Sequence, residues 1–161
     1  SPEPRRIVQL DAIEQLVAAG FVVVCAGGGG VPVIEDANGR YRGVEAVIDK
    51  DRTSALLAID LGVDALVLAT DVDAVYENYG TPQQRPILAA APQTLRQLEL
   101  PEGSMGPKVE AVCRFVEATG GRAAIGSLYE VPQLLEGRAG TQILNEAPKQ
   151  AKGGRRHASL A

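Results

Sequence analysis

Asp64-Ala65-Leu66-Val67-Leu68-Ala69-Thr70 runs directly into Asp71-Val72-Asp73-Ala74-Val75-Tyr76. An unbroken apolar run between polar ends, too short for a stable helix, reads as a strand buried on both faces, the form strands take in parallel sheets. The residues on either side agree. Arg52 to Leu61 has the character of a helix, and Gly62 supplies its stop. Downstream, Pro107 to Thr119 reads as a second helix, with Pro107 in its first turn and Gly120-Gly121 past its end. Arg122 to Gly126 then follows as another strand. Helices alternating with apolar strands predict an α/β chain, a three-layer αβα sandwich with a mostly parallel sheet.

Working outward, Val8 to Ala19 carries Ile13, Leu16 and Val17 at helical spacing and ends at Gly20. Phe21 to Ala26 is a second continuous apolar run and is expected to be a strand buried on both faces. Val31 to Glu35 is a short strand candidate, followed by a turn at Asp36-Ala37-Asn38-Gly39. Tyr76 to Pro92, with three prolines, reads as a long loop. Pro92 to Leu98 and Glu130 to Glu136 read as short helices, and Thr141 to Leu144 as a last strand. The folded unit is expected over residues 1–144, with 145–161 a polar basic tail expected to be disordered.

Composition narrows the partners. The chain has 161 residues, 45% hydrophobic and 22% charged, which is the balance of a globular protein. Its net charge is −4, although the tail sets Lys149, Lys152, Arg155 and Arg156 against Glu146 alone. An acidic body argues against nucleic acid as a partner, and the short basic tail reads as a contact patch or a free end. The uncharged stretch from Gln15 to Ile34 is broken by five glycines and a proline, so no membrane helix is expected. Cys25 and Cys113 stand apart from any ligand cluster and read as reduced thiols of a cytoplasmic protein.

Four places can carry chemistry. Gly27-Gly28-Gly29-Gly30 follows an apolar run, where backbone N–H groups can approach an anion or where a tight bend needs positive φ. The spacing is neither that of a dinucleotide fold nor that of a Walker loop. Asp49-Lys50-Asp51 stands at the entry to a helix. Asp51 there is a helix cap or an orienter of a phosphate-binding lysine. Thr70-Asp71-Val72-Asp73 follows a buried strand, where open α/β sheets bind ligands, though a solvated turn has the same composition. Gly103-Ser104-Met105-Gly106-Pro107-Lys108 enters a helix, and Lys108 opposes the dipole of its first turn. It is a surface lysine or half of a phosphate site. The only histidine, His157, lies in the tail, which leaves no serine or cysteine triad to assemble. Phosphoryl transfer requires none.

Taken in order, Ser1-Pro2-Glu3-Pro4, Ala26 to Val33, Gly43 to Asp51, Leu68 to Tyr76, Gly80 to Gln84, Gly103 to Val109 and Gly140-Thr141 resemble the carbamate kinases of the amino-acid-kinase superfamily. The Thr-Asp-Val-Asp element is similar across that superfamily. The Val-Ile-Asp-Lys-Asp and Met-Gly-Pro-Lys elements, with four successive glycines, resemble carbamate kinases in particular. The resemblance implies reversible phosphoryl transfer between ATP and carbamate, giving ADP and carbamoyl phosphate, with Mg²⁺, in the arginine metabolism of the cytoplasm. It implies that Lys50 and Lys108 bear on the ATP phosphates and that Asp51 orients the catalytic lysines. Thr70, Asp71, Val72, Asp73, Tyr76, Met105, Gly106, Pro107 and Lys108 are then expected to line the nucleotide pocket, and Gly27, Gly28, Gly29 and Gly30 to face the carbamoyl side. A homodimer is implied for the full-length enzyme. The stretches resemble only the C-terminal half of that family, so the chain alone is expected to be incomplete and inactive. The alternatives are a non-catalytic remnant binding nucleotide or a partner, and a kinase of another small acid.

Overall fold

The computed structural model describes residues 1–101 and 103–145; the basic tail from 146 onward lies outside the described residues. Its centre is a four-stranded sheet in the order β3-β7-β8-β6, formed by β3 (Ala65–Thr70), β7 (Arg122–Ser127), β8 (Thr141–Ile143) and β6 (Ala89–Ala90). β3 pairs with β7 in parallel, Ala65 with Arg122 through Thr70 with Ser127. β6 also runs parallel to β8, while β8 is antiparallel to β7. The sheet is therefore mixed.

The period of two along β7 sorts its neighbours. Ala123 and Ile125 belong to the main core with Leu68, Val112, Phe115 and Val116. Gly126 points the other way, where an added Cβ would sit 2.6 Å from Leu134. Leu134 belongs to α5 (Val131–Leu135). The helices α2 (Lys50–Leu61), α3 (Pro92–Leu95) and α4 (Met105–Thr119) thus cover one face and α5 covers the other, giving the αβα layering. α2 and α4 both end at a glycine in the left-handed region, Gly62 and Gly120. That stop turns the chain back into β3 and β7.

Helix and strand lengths place the functional edge. α2 is 12 residues and β3 six, about 18 and 20 Å long. Because α2 ends where β3 begins, its N-terminus returns to the carboxyl end of β3. α4 does the same for β7, whose Arg122 N–H bonds to the Asp64 carbonyl beside the start of β3. The N-termini of α2 and α4 and the Thr70–Asp73 turn therefore lie along one edge of the sheet.

Two expectations are corrected. Phe21 to Ala26 forms no strand; Val22 and Val24 are 95% and 96% exposed and Phe21 63%. Apolar residues promote a strand only where another strand accepts their N–H and C=O groups, and none does so here among the described residues. Tyr76 to Pro92 is not wholly a loop: β4 (Val75–Glu77) and β5 (Arg85–Ile87) pair antiparallel, Val75 with Ile87, and β6 follows. Pro86 sits in β5 of this two-stranded ribbon, whose outer side needs no donor. Ahead of these elements, α1 (Leu10–Ala18) packs on α2 through its buried Ile13 side, and β1 (Val33–Glu35) and β2 (Tyr41–Gly43) form a hairpin around the expected turn.

Candidate active site

Asp49, not Asp51, caps α2. Its side chain accepts from the Arg52 N–H at 2.9 Å, and its φ and ψ are extended as a cap requires. Asp51 is thereby free for another partner, and it turns inward. Its carboxylate, 6% exposed as a residue, accepts from Lys108 Nζ at 2.9 Å, and Lys50 Nζ lies 3.8 Å away. Lys108 is itself mostly buried, whereas Lys50 reaches into solvent. Of the two readings of Asp51, the cap belongs to Asp49 instead, and Asp51 makes an ion pair spanning 57 residues of sequence. A buried carboxylate between two ammonium groups leaves one net positive charge to offer.

The glycine loop reaches the same place. A Cβ on Gly29 would collide with the Ile48 carbonyl, which precedes the cap residue. The buried Thr53 hydroxyl bonds the Gly29 carbonyl at 2.9 Å and the Asp49 carbonyl at 3.0 Å. Gly29 and Gly30 have φ of 129° and 88°, which a side chain rarely adopts. Both readings of the glycines therefore have a basis: the bend needs positive φ, and it lays backbone beside Lys50 and Asp51. Sequence reasoning missed Thr53, whose only signal was a polar residue on the inner side of α2.

Met105, Gly106, Pro107 and Lys108 form the first turn of α4. Met105 packs on the core, and the Gly106 N–H bonds the Pro101 carbonyl at 3.0 Å. An added Cβ on Gly106 would lie 3.1 Å from that oxygen. The glycine and proline bring the turn close to the preceding chain, and the side chain of Lys108 crosses to α2.

The Thr70–Tyr76 group is a second cluster on the same edge. The Thr70 hydroxyl donates to Asp71 at 2.9 Å, and the Thr70 carbonyl accepts from the Leu128 N–H at 2.9 Å. Val72 is half-buried between two exposed aspartates. The Tyr76 phenol donates to Asp73, with oxygens at 3.0 and 3.2 Å, and its ring lies 5.8 Å from that of Tyr79. That hydrogen bond, foremost, raises the phenol's pKa above the ordinary value. Among the described residues, no hydrogen bond or ion pair joins this cluster to Lys50, Asp51 or Lys108. Only the sheet holds the two together.

Elsewhere, burial pushes the Cys113 thiol up to about 11, which keeps it protonated and inert. A cavity of about 460 Å³ between α2 and α4 is lined by Glu3, Arg52 and Arg114, and the Glu3 carboxylate bridges the two arginines. It contains none of the expected site residues. No three carboxylate, imidazole or thiol groups converge on a point among the described residues. No helix among the described residues is long and apolar enough to cross a membrane.

Known proteins resemble this chain over most of its length. The chain is similar to the carbamate kinase of Rhizobium meliloti strain 1021, 51% identical over 146 residues, which covers 89% of this chain and 45% of that protein. The carbamate kinase of Escherichia coli K12 is 52% identical over 143 residues, covering 89% and 47%. Among solved structures, the carbamate kinase of Giardia lamblia bound to AMP-PNP superposes with a TM-score of 0.87 at 38% identity, over 91% of this chain and 52% of that one. The chain thus spans about half the length of the curated relatives it matches. The profile of the amino acid kinase family matches residues 1–127, and with that match, its layered sheet and the edge that gathers its lysines, the chain belongs to the amino acid kinase family.

Proposed function

We propose that this chain is the nucleotide-binding half of a carbamate kinase and that the complete enzyme transfers a phosphoryl group between ATP and carbamate in the cytoplasm. The observation that carries the reading is the buried Asp51 carboxylate holding Lys108 at 2.9 Å with Lys50 beside it. An ammonium group has three donors, and Asp51 takes one from Lys108. The others are left for phosphate oxygens. In the reaction the bond from the terminal phosphorus to the β–γ bridging oxygen of ATP breaks, and a bond from that phosphorus to a carbamate oxygen forms. Charge spreads over the transferring group, and fixed cations offset it without moving during the step. Asp51 keeps Lys108 in one orientation before substrate arrives.

The Thr70–Asp73 turn with Tyr76 is then the nucleotide side, and Met105–Lys108 closes it from the α4 end. Gly27–Gly30 faces the carbamoyl group. That the Giardia relative binds AMP-PNP supports a nucleotide as the ligand of this fold. The Mg²⁺ expected with ATP would be held in this reading chiefly by the nucleotide phosphates, since among the described residues no three carboxylates converge. The remaining half of the fold supplies the other wall of the site and covers Phe21–Ala26, and the full-length enzyme pairs as a homodimer. A kinase of another small acid is less well supported, because the relatives at about 50% identity are carbamate kinases.

The test is Lys108→Ala in the complete kinase, assayed as ATP formation from ADP and carbamoyl phosphate. One oriented charge contact at a transferring group is worth about 3 kcal/mol, so turnover should fall more than a hundredfold. Unchanged turnover would reduce Lys108 to a structural ion-pair partner and remove the basis of the reading.

A further inference from the structure

Thr141 is fully buried, and its hydroxyl both donates and accepts a hydrogen bond. The Oγ1 accepts from the Val75 N–H at 2.8 Å and donates to the Ile87 carbonyl at 2.5 Å. Val75 and Ile87 are facing residues of β4 and β5. One side chain on β8 therefore grips both strands of the β4–β5 ribbon at its root. A second contact lies next to it. The Asp73 carbonyl sits 3.0 Å from where a Cβ on Gly126 would be, so the absence of a side chain there lets the turn lie flat on β7. Thr141 pairs with Ile125, the neighbour of Gly126.

Beyond this root the ribbon has little else to hold it. Asn78 to Pro86 is exposed throughout. Among the described residues, no other side-chain hydrogen bond ties residues 73–87 to the rest of the fold. Yet this segment and the turn before it carry Asp73, which accepts from Tyr76, and the Tyr76–Tyr79 ring pair.

We propose that Thr141 is a positioning residue for the nucleotide: its hydroxyl sets where Asp73 and Tyr76 stand relative to the sheet edge, though it touches no ligand itself. This rests on the nucleotide role proposed above for that edge. A methyl in place of the hydroxyl would remove the side-chain bridge from this pair, leaving the Val75 N–H and the Ile87 carbonyl to the β4–β5 ladder alone, and the root of the ribbon would be free to shift.

The experiment compares Thr141→Val, which keeps the shape, and Thr141→Ser, which keeps the hydroxyl, in the 161-residue chain. ADP affinity is measured by calorimetry at a temperature where all three proteins are folded. Amide exchange is followed at Val75 and, as a reference, at Ile125 in β7. Thr141→Val should weaken ADP binding about tenfold, the equivalent of one buried hydrogen bond. It should speed exchange at Val75 far more than at Ile125, and Thr141→Ser should restore both readings to within about twofold. Unchanged ADP affinity in a folded Thr141→Val protein overturns the proposal, as does uniform loosening of Val75 and Ile125 together, which marks a purely structural role. If the unsubstituted chain binds no ADP, the nucleotide reading of the edge fails first and the positioning role falls with it.

Discussion

Phe21–Ala26 and Asp64–Thr70 are nearly the same sentence in sequence. Each is a short apolar run after a helix and before a polar or glycine-rich turn. Asp64–Thr70 becomes β3, with six register partners in β7. Phe21–Ala26 becomes a segment outside any strand, with Val22 and Val24 almost wholly exposed and Val23 and Cys25 half-buried. The apolar composition of a strand is present in both. Only the neighbour is missing in one. Strand character is therefore a promise that a second segment must keep.

The sharpest way to break this contrast is to assay the chain alone. On the proposed reading, which puts one wall of the site in the remaining half of the fold, the 161-residue protein should form no ATP from ADP and carbamoyl phosphate above background. Misplacing reactants by about 1 Å already costs roughly a hundredfold, and losing a wall costs more. Turnover within tenfold of a typical rate of about 10 per second would mean that the open strand needs no further half.

Next in size is Asp51→Asn in the complete kinase. The amide keeps the shape but loses the charge that holds Lys108, so turnover should fall about a hundredfold while the protein stays folded. Asp49→Ala is its counterpart: it should cost about 1 kcal/mol of stability through the lost cap and leave the Lys108 pair intact. Thermal melts and the coupled assay, run on both, separate the aspartates. If Asp49→Ala is the one that abolishes turnover, the assignment of roles is inverted.

The two runs themselves can be compared by substitution in the isolated chain. Ile125→Ala, on the strand that partners β3, removes a side chain with no exposure and should cost about 3 kcal/mol in chemical denaturation. Val22→Ser with Val24→Ser should change stability by under about 0.5 kcal/mol and reduce self-association in sedimentation. A large loss from the double serine variant would show that the open run is already packed in solution.

The smallest effect concerns Tyr76. Its hydrogen bond to Asp73 favours the neutral phenol, so ionisation should come above the ordinary tyrosine range. The bond is then intact at neutral pH and is lost only as pH rises through that raised value. Asp73→Asn should lower the midpoint toward about 10, read from phenolate absorbance against a Tyr76→Phe control.

Much of this architecture was legible along the chain. α2, α4, β3 and β7 were expected within one or two residues of where they stand, because glycine stops, proline starts and apolar runs act through hydrogen bonds and sterics a few residues apart. The motifs at 27–30, 49–51 and 105–108 also announced that they were unusual. What the sequence could not settle were choices between partners distant in sequence. Two aspartates flank Lys50, and either can cap a helix; only the arrival of Lys108 from 57 residues away makes Asp51 the buried one. Thr141 looks like any strand threonine until folding places Val75 and Ile87 on its two sides. The ribbon of β4 and β5 was hidden by its prolines, since cross-strand pairing has no local signature when the turn between is long. Local composition determined which segments could be helix or strand and which residues could hold charge. Tertiary structure alone decided which apolar run found a neighbour and which carboxylate met a lysine, because those hydrogen bonds and ion pairs exist only once distant parts of the chain are side by side.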